Sequence, residues 1–151
     1  MPAFSQSRDI FVLAPAADVH AIIDDFHRWT EWSPWEDVDP DLQRSYTGPE
    51  RGVGAHYAWE GNKRAGKGSM QITASEPDRI EIDLHFLAPF EARNVTVFTL
   101  APSGVKGTRV TWTMSGHRNV VLSVLGKLFF DKAIAKDFDR GLARLKAIVE
   151  A

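Results

Sequence analysis

The strongest constraint on this chain is a change of hydrophobic period. From Leu42 to about Gly116 polar and apolar residues alternate, with interruptions at Gly48-Pro49, Gly61-Asn62, Pro77-Asp78, Pro89 and Ser103-Gly104. A period of two puts successive side chains on opposite faces of an extended strand, and the interruptions are turn formers. The pattern predicts six strands, at 42–47, 55–60, 68–76, 79–87, 92–101 and 108–116. Consecutive strands joined by short turns form an antiparallel meander. One face carries Tyr57, Trp59, Met70, Ile72, Leu84, Phe86, Phe98, Trp112 and Met114, while the alternate positions hold Gln71, Thr73, Glu81, Asp83, His85 and Thr113. Such a sheet is covered on one side and wet on the other.

The flanking segments supply the cover. Residues 8–13 alternate around Ile10 and Val12 and stop at Pro15, which adds a first strand. Val19, Ile22, Ile23 and Phe26 recur at helical spacing over 16–26, and Trp29, Trp32 and Trp35 follow, a pattern that fits two short helices. Ser33-Pro34-Trp35-Glu36 has the hydroxyl, proline and glutamate of a capping box, so a helical turn is expected there. Residues 119–150 form the one long helical pattern, with Phe130, Ile134, Phe138, Leu142, Leu145 and Val149 as its apolar stripe. Gly141 interrupts it at a cost of about 1 kcal/mol against alanine, and a close approach of helix to sheet accounts for that choice. The expected fold is α+β, over one domain of residues 1–151: a seven-stranded curved antiparallel sheet wrapped around a long C-terminal helix, with two short helices after the first strand. A single helix of about 10–12 Å diameter leaves part of such a concavity to side chains or to a ligand.

Composition removes several function classes. A net charge of -2 and a pI near 6.2 provide no broad basic surface, so no nucleic-acid partner is expected. With no cysteine, thiolate metal sites and thiol nucleophiles are out, and His20, His27, His56, His85 and His117 share no metal-ligand spacing; neither metal nor cofactor is expected. No run approaches the roughly 20 apolar residues of a membrane span, and the N-terminal ten residues lack a leader pattern, which gives a cytoplasmic expectation without stable membrane insertion.

Asp37, Asp39 and Asp41 alternate like a calcium loop, but Leu42 and Gly48 stand where its glycine and glutamate belong; they read as solvated loop charge. Residues 61–68 come within one residue of a phosphate loop, with Gly68 in place of the hydroxyl residue. They join two antiparallel strands and so read as a basic hairpin. No Gly-x-Ser-x-Gly elbow exists, and Ser69 and Ser115 fall within strands.

The stretches Phe26-His27-Arg28-Trp29-Thr30-Glu31-Trp32-Ser33-Pro34-Trp35, Gly52-Val53-Gly54-Ala55-His56-Tyr57-Ala58-Trp59-Glu60-Gly61 and Gly107-Thr108-Arg109-Val110-Thr111-Trp112, with the ending from Lys136 to Lys146, occur in this order along nearly the whole chain. In them the chain resembles the START and Bet v 1-like (SRPBCC) superfamily, and more closely its polyketide cyclase/dehydrase-like branch. The resemblance implies a helix-grip fold. Members of that superfamily include lipid carriers, metabolite binders, cyclases, chaperone co-factors and antitoxin-like proteins, so the fold does not choose among activities.

The leading expectation is non-enzymatic or weakly enzymatic binding or transport of a small hydrophobic molecule, such as a lipid, isoprenoid or aromatic metabolite. Trp32, Trp35, Tyr57, Trp59, Met70, Ile72, Leu84, Phe86, Phe98, Trp112, Met114, Phe130 and Phe138 are its expected lining. A cyclase or dehydratase would instead need an acid and a base in the cavity, with Glu36, Tyr57, Arg93, Asn94 and His117 as candidates. A third reading is an interaction module with a closed cavity. The apolar stretch 120–128 would then serve as a homodimer or partner surface.

Overall fold

The computed structural model describes the backbone of residues 3–34, 39–62, 66–88, 91–117 and 120–151, and side chains outside 1–4, 35–38, 63–65, 88–90 and 117–134. The alternating segments are strands β1 (Ala3–Val12), β2 (Gln43–Thr47), β3 (His56–Glu60), β4 (Lys67–Glu76), β5 (Arg79–Ala88), β6 (Ala92–Ser103) and β7 (Gly107–His117). They form one curved antiparallel sheet in the order β1-β7-β6-β5-β4-β3-β2. The meander runs from β2 to β7, and β1 closes the far edge by pairing with β7 from Ala3↔His117 to Val12↔Thr108. β1 begins five residues before the sequence pattern does, because Ser5, Gln6 and Ser7 carry no apolar alternation. Backbone pairing and a 3.0 Å hydrogen bond between the Ser7 and Thr113 hydroxyls hold that part.

Helix α1 (Ala16–Ile23) ends three residues earlier than the apolar spacing suggests. Asp24 stands at its C-cap, and Asp25 starts a separate 3-10 helix (Phe26–Glu31) by accepting the His27 backbone N–H at 3.0 Å. Trp29 Nε1 donates 2.8 Å to the Ile23 carbonyl and so folds this helix back over α1. Of the expected capping box, Ser33 and Pro34 are described, while Trp35 and Glu36 lie outside the described residues.

Helix α2 (Val120–Val149) runs parallel to β1 and is fastened to it at several points. Arg8 donates two hydrogen bonds to Asp139 (2.9 and 2.7 Å), Lys146 Nζ donates to the Phe11 carbonyl (3.0 Å), and Leu13 N–H donates to Glu150 (2.7 Å). Among the described residues no helix is long and apolar enough to cross a membrane.

Two loop readings now have coordinates. Asp39 is not solvated charge: it is buried, and its carboxylate accepts the backbone N–H of Asp41 (2.9 Å) and of Asn62 (2.8 Å). Desolvating a carboxylate requires such donors, and here they tie the loop before β2 to the β3–β4 hairpin. Asp41 is exposed as expected, and Asp37 lies outside the described residues. The segment resembling a phosphate loop does join β3 to β4. Gly61 N–H donates to the Gly66 carbonyl at 2.9 Å, and residues 63–65 lie outside the described set.

Candidate functional site

The register arranges the concave face in rows that cross the sheet. Tyr57, Met70, Leu84, Asn94 and Gly116 form one row; Ile72, Ile82, Thr96 and Met114 the next; Ile80, Phe98 and Trp112 the third. Trp59, Gly68 and Phe86 lie beyond the first.

The third row and its neighbourhood are sealed. Trp112 stacks on Phe138 of α2 with ring centres 4.1 Å apart and an interplanar angle of 5°, and on Phe98 at 5.0 Å. Trp32 meets Phe98 and Trp112 edge-on at 5.8 and 5.5 Å, and Trp29 closes the cluster from the 3-10 helix. Of the side chains expected to line a cavity, Trp32, Ile72, Phe98, Trp112 and Phe138 therefore pack on one another as core. Tyr57, Leu84 and Met114 are also buried.

The opposite end is covered less completely. Trp59, Met70 and Phe86 point to the same face and pack against the core, yet stay partly exposed. Trp59 lies edge-to-face with Phe86 at 5.9 Å, and its ring rests on Gly68, where an added Cβ would sit 2.6 Å from it. Trp35 lies outside the described residues; Phe130 belongs to α2, and its side chain is not among those described.

Two polar residues occupy this face on consecutive inward positions of β6. Thr96 is 2% exposed and Asn94 6%, and neither Thr96 Oγ1 nor Asn94 Oδ1 has a hydrogen-bond partner among the described residues. Asn94 Oδ1 lies over Gly116, where any Cβ would collide with it. An unpartnered buried hydroxyl or amide costs about 1–3 kcal/mol; other buried polar atoms, such as Asp24 Oδ1 and His85 Nε2, are also without a hydrogen bond among the described residues, but Asn94 and Thr96 are the ones that stand on consecutive inward positions of one strand. Asn94 was among the acid–base candidates. Thr96 was not, although a threonine at the inward parity between Asn94 and Phe98 was the available signal. Of the other candidates, Tyr57 is buried in the aromatic cluster, Arg93 is exposed on the convex side, and the side chains of Glu36 and His117 are outside the described set.

A second polar cluster was not anticipated. His20 Nε2 meets Ser75 Oγ at 3.1 Å, and His20 Nδ1 lies 3.6 Å from Asp24 Oδ2. The connectivity is that of a nucleophile, base and acid, but the 3.6 Å gap exceeds a hydrogen bond and Ser75 sits within β4. The cluster acts as a strut between α1 and the sheet. Burial raises the Asp24 pKa, against the opposing pull of His20 and Arg51. A raised carboxylate pKa means that the folded state holds the proton more tightly than the unfolded one, so stability declines as pH rises through the interval between the two values. Asp24→Asn should therefore melt higher than the parent at pH 7, and the advantage should vanish below the ordinary carboxylate range. A lower melting temperature at pH 7 would show that the charge is needed.

Two surface clefts lie elsewhere among the described residues. One of about 240 Å³ lies among His27, Tyr46, Gly48, Glu50 and His56, where His27 stacks on Tyr46 at 4.1 Å and is held by Asp25 at 3.0 Å. The other, about 560 Å³, lies between the β6–β7 turn and the segment after β1, lined by Leu13, Pro15, Pro102 and Val105. No group of three potential metal ligands occurs among the described residues.

Known proteins place this geometry. Solved structures of similar shape include protein CV1439 from Chromobacterium violaceum (17% identity, 97% of each chain, TM-score 0.70) and the Aha1 dimer from Colwellia psychrerythraea (15% identity, 97% of this chain and 96% of that one, TM-score 0.68). A third is the di-domain ARO/CYC BexL from the BE-7585A biosynthetic pathway (18% identity, 99% of this chain and 50% of that one, TM-score 0.75). At these identities the likeness speaks for the fold. No curated protein sequence matches the chain. The profile of one family does, over residues 1–150, which is the whole of the sheet and of α2. With the helix-grip architecture in place around that match, the chain belongs to the polyketide cyclase / dehydrase and lipid transport family.

Proposed function

We propose that the protein binds a small hydrophobic molecule between α2 and the less covered end of the concave face. The observation that carries this reading is the contrast between the two ends. Around Trp112 every ring is in contact with another, whereas Trp59, Met70 and Phe86, equally apolar and equally inward, are left partly exposed. Large apolar side chains gathered on a concave surface without full cover are suited to an apolar guest. A guest that buries about 300 Å² there would gain on the order of 7 kcal/mol before ordering costs, enough for micromolar affinity. The family's description, which names lipid transport beside cyclisation, is in keeping with it.

Binding ranks ahead of catalysis because, apart from Tyr57, whose ring is packed between Phe26 and Tyr46, the polar groups in the described rows of this face are Asn94 and Thr96, which do not titrate near neutral pH. They can orient a molecule but not exchange protons with it. The test is mass spectrometry of small molecules released by denaturing protein purified from its native cells. A stoichiometric apolar compound is expected. Release of nothing, together with failure to bind apolar fluorescent dyes, would mean a closed interior and sink the reading.

A further inference from the structure

We infer that the guest carries a hydroxyl group, held between Asn94 and Thr96, so that the site selects an amphipathic molecule and not a plain hydrocarbon. This rests on the binding reading above and adds the chemistry of one end of the guest. Asn94 and Thr96 are two residues apart on β6 and share the concave face with Phe98 and Leu100. Residues so spaced stand about 6.5–7 Å apart along a strand, so one oxygen between them lies within hydrogen-bond reach of both side chains. The chemistry is complementary: a hydroxyl can donate to Asn94 Oδ1 and accept the hydrogen of Thr96 Oγ1, which satisfies both orphaned atoms at once. Around them the sheet offers only apolar neighbours on this face, Ile82, Leu84 and Met114, and the bare backbone of Gly116. Among the described residues nothing in the fold uses the pair. Valine fills the volume of Thr96 and leucine approximates that of Asn94, and a strand between apolar neighbours would be more stable with either. Polar groups retained against local stability mark functional positions.

The test compares 2-naphthol with 2-methylnaphthalene, which differ by a hydroxyl in place of a methyl group, by tryptophan fluorescence titration of the full chain. A purely apolar pocket favours the methyl compound, because the hydroxyl gives up its water partners on entry. The expected result is the reverse, with 2-naphthol bound about tenfold more tightly. In Thr96→Val that preference should fall to threefold or less while 2-methylnaphthalene binds at least as well as before. The unliganded Thr96→Val protein should also melt no lower than the parent. Equal binding of the two probes, or a preference that Thr96→Val leaves intact, overturns the inference and leaves the binding reading standing. Failure of both probes overturns both. A melting temperature lowered by Thr96→Val means that the hydroxyl has a structural partner, and overturns the inference by itself.

Discussion

Trp112→Ala is expected to lower the free energy of unfolding by about 3–5 kcal/mol. The Trp112 ring lies flat against Phe138, stacks on Phe98 and takes the edge of Trp32, so it touches the sheet, the segment after the 3-10 helix and α2 together. Its removal would leave a cavity with walls that cannot close. Arg8 holds Asp139 of α2 to β1, and Arg140 Nη2 donates 2.6 Å to the Pro34 carbonyl, so the helix is fixed on both sides of the vacated space. Domains of this size are stable by about 5–15 kcal/mol in total, and the loss is a third or more of that. Urea denaturation should show the midpoint falling with little change in slope. Val105, at the exposed tip of the β6–β7 turn, provides the contrast, since Val105→Ala should alter the midpoint hardly at all. A loss below 1 kcal/mol for Trp112→Ala would mean that the aromatic cluster is not the keystone proposed.

The sheet was legible because parity is a local property. Each strand from β2 to β7 carries its own alternation, and the turn residues between them fix the order, so the meander needs no long-range information. β1 was half legible: its second half alternates, but Ser5, Gln6 and Ser7 are held by pairing with β7, more than a hundred residues away, which leaves no periodic trace. The end of α1 was misplaced for a related reason. Phe26 continues the helical spacing of Val19, Ile22 and Ile23, yet two aspartates cap the break, and capping outweighed the apolar period. Asp39 looked like loop charge because its two donors come from the chain's backbone, one of them at Asn62, which no side-chain pattern announces.

The candidate site was legible in face but not in depth. Parity assigned Phe98 and Trp112 to the same side as Met70 and Phe86, correctly, but whether an inward ring becomes core or stays uncovered depends on where the 3-10 helix and α2 lie above it. That is set by contacts such as Arg144 to the Ser33 carbonyl and Lys146 to the Phe11 carbonyl, which join residues 111 and 135 positions apart. Thr96 shows the complementary failure. It alternates inward like its neighbours, and its polarity becomes informative only once its burial and lack of a partner among the described residues are known.

Gly141 combines both lessons, since the sequence flagged the residue and only the coordinates give the reason. Intrinsic helix propensity alone says that Gly141→Ala should stabilise α2 by about 1 kcal/mol. A Cβ at this position would lie 2.8 Å from Pro34 Cδ and 3.1 Å from the Trp112 ring, so one of them must shift. Neither yields easily. The proline is a closed ring flanked by the carbonyls that Arg140 and Arg144 hold, and the indole is clamped between Phe98 and Phe138. Overpacking of this kind costs about 1–3 kcal/mol, which outweighs the propensity gain, so Gly141→Ala should be net destabilising. Gly141→Leu, which drives a branched side chain into the same contact, should lose about 3 kcal/mol or more. The control is Ala143→Gly on the exposed side of the same helix, where propensity acts alone and a loss of about 1 kcal/mol is expected. If Gly141→Ala instead gained the full propensity increment, α2 would have to sit farther from the sheet than Pro34 and Trp112 place it. The close seat of α2 over the sealed rows, which leaves the Trp59 end of the concavity to a guest, would then lose its support.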